Sequence, residues 1–204
     1  GAFWGRRAVV GLAGGFGEVR LGRDYTPGFT AAGTTDVMGY GMFNNWLTYT
    51  AQGGGFGVTT RASNGLHYTS PNWGGLTIRA MYAAGEADNI SATQGGTGPS
   101  DANDMYGLSA VWTGGPLTVS GYYQQVQLSS EPTAFNTRDG SQYGIGAQYS
   151  FGAFRVAANY GMADVDNAGG GGSTEHEGIG VGLGMKVGVG EVLVNYIQQE
   201  LNVA

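Results

Sequence analysis

Between its turns the chain alternates apolar residues with small or polar ones at period two, the pattern of strands whose two faces meet different surroundings. Phe154, Val156, Ala158, Tyr160 and Met162 fall on one side of a run whose other side is Arg155, Ala157, Asn159 and Gly161. Ile179, Val181, Leu183, Met185 and Val187 are backed in the same way by Gly180, Gly182, Gly184 and Lys186. The division repeats for Tyr143, Ile145, Ala147, Tyr149 and Phe151, and for Leu76, Ile78, Ala80 and Tyr82. Such runs predict ten strands, over 6–13, 17–25, 61–70, 75–84, 104–113, 116–127, 141–151, 153–163, 177–187 and 190–201.

Two kinds of connection join them. Thr113-Gly114-Gly115-Pro116, Phe151-Gly152-Ala153-Phe154 and Val187-Gly188-Val189-Gly190 are short and glycine-marked, whereas Gly85 to Asp104, Ser129 to Gly140 and Ala163 to Glu177 are long and polar. Short turns at one end and long loops at the other predict an up-and-down antiparallel sheet. Alternation alone fits a soluble sandwich as well as a membrane barrel. Aromatic placement favours the barrel. Tyr82, Tyr106, Tyr123, Tyr143, Tyr160 and Tyr196 collect toward the long-loop end, and Trp112, Phe151 and Phe154 toward the short turns. Two girdles around an aliphatic band are expected where a barrel crosses the headgroups.

Composition narrows the function. The 204 residues suit one domain, 1–204, and 41 glycines with only 12% charged residues argue against a helical or doubly wound enzyme. The longest weakly polar run, Ala8 to Gly17, is too short for a membrane helix. Without cysteine there is no disulfide and no thiolate metal site. A net charge of -6 with Lys186 as the single lysine argues against nucleic-acid binding. His67 and His176 are the only histidines, and the chain has no GxGxxG, GxxxxGK[ST] or GxSxG motif. No enzyme activity, cofactor or metal site is therefore expected. Asp164, Asp166, Gly169 and Glu175 match EF-hand spacing, but Ala168 occupies a ligand position and no helix flanks the loop. A loosely held Ca²⁺ there, with Asp101 and Asp104, is the remaining metal reading.

Two longer motifs carry a family resemblance. The stretch from Gly5-Arg6-Arg7-Ala8-Val9-Val10-Gly11 through Gly22-Arg23-Asp24-Tyr25-Thr26-Pro27 resembles a strand–turn–strand of the trimeric general porins of β-proteobacterial (Gram-negative) outer membranes. Asn64-Gly65-Leu66-His67-Tyr68-Thr69-Ser70-Pro71-Asn72-Trp73-Gly74-Gly75-Leu76 resembles a later strand and turn of the same family. The resemblance implies a sixteen-stranded transmembrane β-barrel, with the first motif on its fourth and fifth strands. About three strands are then expected to be missing at each end, and Asn202-Val203-Ala204 lacks the family's terminal aromatic residue.

It also implies that residues 25–60 form a loop folded into the barrel that narrows the pore, carrying Asp36, Asn44 and Asn45, with Asp24 just before it as a further acid at the constriction. Period-two parity puts Arg7, Arg20, Arg61 and Arg79 on the lumen wall, with His67 in line with Arg61; Arg23, of opposite parity, is the least regular member of the set. An arginine ladder facing acids or carbonyls sets a transverse field and an ion preference; the bland alternative is that these arginines are merely solvated and paired. Most acids lie in the long connections, so the acidic net charge describes the loops more than the wall. The expected function is a passive outer-membrane channel for small hydrophilic solutes and ions, mildly anion-selective and homotrimeric, in contact with membrane lipid and lipopolysaccharide. The alternatives are an adhesive or structural barrel with a plugged lumen and a soluble glycine-rich sandwich.

Overall fold

The computed structural model describes residues 5–40, 60–85, 104–126, 140–166 and 172–203. The strands are β1 (Ala8–Gly14), β2 (Gly17–Tyr25), β3 (Arg61–Thr69), β4 (Leu76–Ala83), β5 (Met105–Gly114), β6 (Leu117–Val126), β7 (Gly140–Phe151), β8 (Phe154–Asp166), β9 (Ser173–Val187) and β10 (Gly190–Val203), with one helix, α1 (Pro27–Thr35), after β2. All ten strands form a single sheet in chain order, each antiparallel to the next. Three hairpins close through two-residue turns whose first residue is Gly115, Gly152 or Gly188, at φ of 56°, 56° and 58°. Glycine at that place is what the II′ turn, matched to the right-handed strand twist, requires.

Directly opposed residues share a face, so the register sorts the whole sheet. Val10 opposes Leu21, Ile145 opposes Tyr160, and Val181 opposes Tyr196. This face is apolar and open, with Val181 54% exposed. The other face carries Gln124 opposite Gln142, and a row running Ser120, Gly146, Asn159, Gly180. Those polar side chains are the buried ones, Gln124 being 1% exposed. Apolar side chains outward and polar ones inward are the reverse of a soluble sandwich and the arrangement of a transmembrane barrel.

The predicted strands hold, with one correction. β8 runs to Asp166 and β9 begins at Ser173, so Asp164 stands directly opposite Glu175 within the hairpin ladder. Two residues committed to paired strands cannot wrap an ion as an EF-hand loop does, and that reading fails. Asp104 is occupied as well, accepting from the Tyr82 hydroxyl at 2.7 Å and from the Gly85 amide at 2.8 Å. Asp101, Ala168 and Gly169 lie outside the described residues, among which no cluster of three or more His, Asp or Glu could hold a metal.

Helix α1 lies against the inward face of β5, β6 and β7. Its Ala31 and Ala32 are fully buried with Val111 of β5 and Tyr122 of β6, and Ile197 of β10 packs on the same cluster. Residues from β5 and β10 meeting one helix means that the sheet curls around it.

Candidate functional site

Thr26 starts the helix: its hydroxyl accepts from the Phe29 amide at 3.3 Å, and Pro27 follows at the first helical position. That pairing of cap and proline is a start signal, and it was legible at Thr26-Pro27. The helix itself was not, because Pro-Gly-Phe-Thr-Ala-Ala-Gly-Thr-Thr has poor helical propensity. Packing supplies the stability. The Gly28 amide donates to Gln124 Oε1 at 2.8 Å, and the Thr35 hydroxyl donates to Asn159 Oδ1 at 2.6 Å while Asn159 Nδ2 donates to the Thr35 carbonyl at 3.0 Å. Just past the helix, Arg155 Nη2 donates to the Val37 carbonyl at 2.9 Å and pairs with Glu191 at 3.0 Å. The wall is cut to fit. A Cβ on Gly146 would come within 2.2 Å of both Thr35 and Asn159, and one on Gly182 within 2.6 Å of Val37.

Asp36 does not face an arginine. It is 4% exposed, and its two oxygens accept the amides of Met38 and Tyr40, each at 3.0 Å, which fixes the turn leaving α1. Burial pushes the Tyr40 phenol well above its ordinary range, so it stays the neutral donor to the Phe29 carbonyl.

Asp24, 2% exposed, is the centre of the charged group. Arg7 grips it with two nitrogens, Nε at 2.6 Å from Oδ1 and Nη2 at 3.0 Å from Oδ2, and Arg20 Nη1 lies 3.2 Å from Oδ2. Arg20 also reaches Glu18 at 3.8 Å. The register sets His67 directly opposite Arg20 and Arg79 opposite Thr69, one row toward the short-turn end. Arg7, Arg20, Asp24, His67 and Arg79 together line a cavity of about 190 Å³, with Pro27 and Thr30 of α1 also on its lining. Three guanidinium groups against one carboxylate on that lining leave it net positive.

Two predicted members stand elsewhere. Arg23 lies on the outward side of β2, donating to the Gly5 carbonyl at 3.0 Å and to Ser63 Oγ at 2.8 Å. Arg61 was expected in line with His67, but the β2–β3 register slips between Gly22 and Asp24: Gly65 opposes Gly22, and Ala62, three residues back, opposes Asp24. Asn64, at φ 52°, takes up the extra residue. A bulge shifts parity by one, and Arg61 therefore stands opposite Tyr25. Residues 41–59 of the expected constriction loop, Asn44 and Asn45 included, lie outside the described residues. Gln124 and Asn159 also belong to the site, although their inward parity marks them as polar wall and nothing more until the helix is known.

A model of the Gram-negative porin family matches residues 1–204. The chain belongs to that family. Membership places this porin in the Gram-negative outer membrane, and its ten-stranded antiparallel meander has the fold of a porin β-barrel wall. It is 32% identical over 158 residues to outer membrane porin protein 32 of Delftia acidovorans, covering 74% of this chain and 42% of the relative. The anion-selective porin from Comamonas acidovorans superposes with a TM-score of 0.81 at 26% identity, over 96% of this chain and 57% of the other. OmpT of Vibrio cholerae in its trimer form, at 17% identity, has a TM-score of 0.68 over 95% of this chain and 59% of the other, a likeness of fold. The chain thus spans about half the length of the relatives it matches.

Proposed function

We propose that the protein is a general diffusion porin, a passive water-filled channel for small hydrophilic solutes and ions, with no catalytic turnover and a mild preference for anions. The observation that carries this reading is the seating of α1 on the inward wall beside a net-positive cavity. A helix held inside the curl of the sheet narrows the lumen, and the 25–60 segment is read as the constriction. Permeant ions then pass Arg7, Arg20 and Arg79, whose field is offset by Asp24 alone on the cavity lining. Charges beyond about 8–10 Å in water are largely screened at physiological salt, so the wall outweighs the acidic loops despite a sequence pI near 4.7. The anion-selective relative from Comamonas acidovorans supports the sign. The trimeric form of the Vibrio cholerae relative supports a homotrimer, set in membrane lipid and lipopolysaccharide.

Reversal potentials across a planar bilayer holding the native porin in a salt gradient test this directly. Anion preference that falls when Arg20 and Arg79 are both replaced by Gln supports the reading. Cation preference in the unmodified channel refutes the assigned field, and no conductance at all favours a plugged barrel.

A further inference from the structure

Arg61 lies at the base of a column of stacked rings. Its guanidinium carbon sits 4.6 Å from the centre of the Tyr25 ring, and its Nη2 donates to the hydroxyl of that tyrosine at 3.2 Å. Tyr25 stacks on Phe29 with ring centres 4.9 Å apart and planes at 9°, and Phe29 stacks on Tyr40 at 4.4 Å and 18°. The column runs from the wall onto α1 and across to the turn beyond it. Its far end is held by Asp36, which orients the Tyr40 amide, and by the Tyr40 hydroxyl, which donates to Phe29. At its near end the Thr26 amide donates to the Thr60 carbonyl at 3.1 Å, tying the first residue after β2 to the last before β3.

We infer that Arg61 is a positioning residue for α1, acting through Tyr25, and not one of the charges that select ions. A cation over an aromatic face attracts it through the ring quadrupole, most strongly where water is excluded, and Arg adds a directed hydrogen bond that fixes the ring's orientation. The bulge at Asn64 is what turns Arg61 onto Tyr25 and off the face that carries Arg20 and His67. Arg6 also donates to that hydroxyl, at 3.3 Å, and Arg7 lies 6.0 Å from the ring centre, but Arg61 is the nearest cation to the ring, and with its charge spent there it sets how firmly the helix sits. The current through the pore then feels Arg61 through the helix it holds, a consequence that rests on α1 being the constriction.

The test uses the whole porin and two readouts. Ala31, fully buried on the face of α1 that packs against the wall, in a chain without cysteine, is replaced by Cys, and its rate of reaction with a water-soluble thiol reagent reports whether the helix lifts. Arg61→Gln and Tyr25→Ala should each raise that rate several-fold. Combining them should add little to either, and Arg61→Lys, which keeps the cation over the ring, should restore much of the protection. In single-channel records Arg61→Gln should add brief partial closures while leaving the reversal potential near that of the parent, unlike Arg79→Gln. An unchanged labelling rate in Arg61→Gln overturns the inference, as does a reversal-potential shift equal to that of Arg79→Gln. Faster labelling with an unaltered current record would uphold the positioning role and count against α1 as the constriction.

Discussion

Asn159 holds Thr35 from both sides, accepting from its hydroxyl at 2.6 Å and donating to its carbonyl at 3.0 Å. The two residues are 124 positions apart, so this pair fixes the C-terminal end of α1 to the middle of β8. Both are buried, and a polar group left without its partner there is costly. Asn159→Leu should destabilise the folded porin by about 1–3 kcal/mol, read as a lower urea midpoint for unfolding from lipid vesicles. A midpoint equal to that of the parent would show that water replaces both bonds.

Gly146 sits opposite Asn159 and leaves room for that contact. A methyl group at this position would meet Thr35 Oγ1 and Asn159 Oδ1, each at 2.2 Å, and neither can retreat without giving up a bond to the other. Gly146→Ala should therefore lower the urea midpoint in the same direction as Asn159→Leu. Together the two changes should cost less than their sum, because they break one contact.

Asp24 is the buried acid between Arg7 and Arg20. Replacing it by Asn removes the negative charge nearest the cavity and leaves both arginines in place. Anion preference should rise, as a larger reversal potential of the parent's sign. Stability should fall by about 1–3 kcal/mol, because Asp24 and its bonds to both arginines are buried, although Arg7, 46% exposed, can hydrate. A reversal potential that stays at the parent's value would mean that permeant ions do not pass this cluster.

The two faces of the sheet predict different costs for a buried charge. Val181 lies mid-strand on β9 and faces outward, whereas Leu193 of β10 opposes inward Gly184. Arg at Val181 should cost roughly 2–4 kcal/mol and Arg at Leu193 distinctly less, measured by unfolding into urea from vesicles. Equal costs would contradict the assignment of faces.

The strands were readable because each meets lipid on one side and the lumen on the other, and that contrast is written into every second residue. Ile179, Val181 and Leu183 against three glycines need no partner strand to be understood. Helix α1 was unreadable for the opposite reason. Its stability comes from Gln124 and Asn159, 96 and 124 residues from their helix partners, and local propensity is silent about both. The charged group was half readable. Arg7, Arg20, His67 and Arg79 follow strand parity onto one cavity, but Arg61 does not, because one extra residue at Asn64 reverses every parity beyond it. Asp36 looked like a pore-facing acid and is consumed by its own turn.

The claim that α1 narrows the lumen can be measured as the single-channel conductance of the porin before and after residues 27–35 are replaced by a short Gly-Ser linker. Removing the helix should give a larger conductance and a wider solute cutoff. An unchanged conductance would show that α1 does not narrow the lumen.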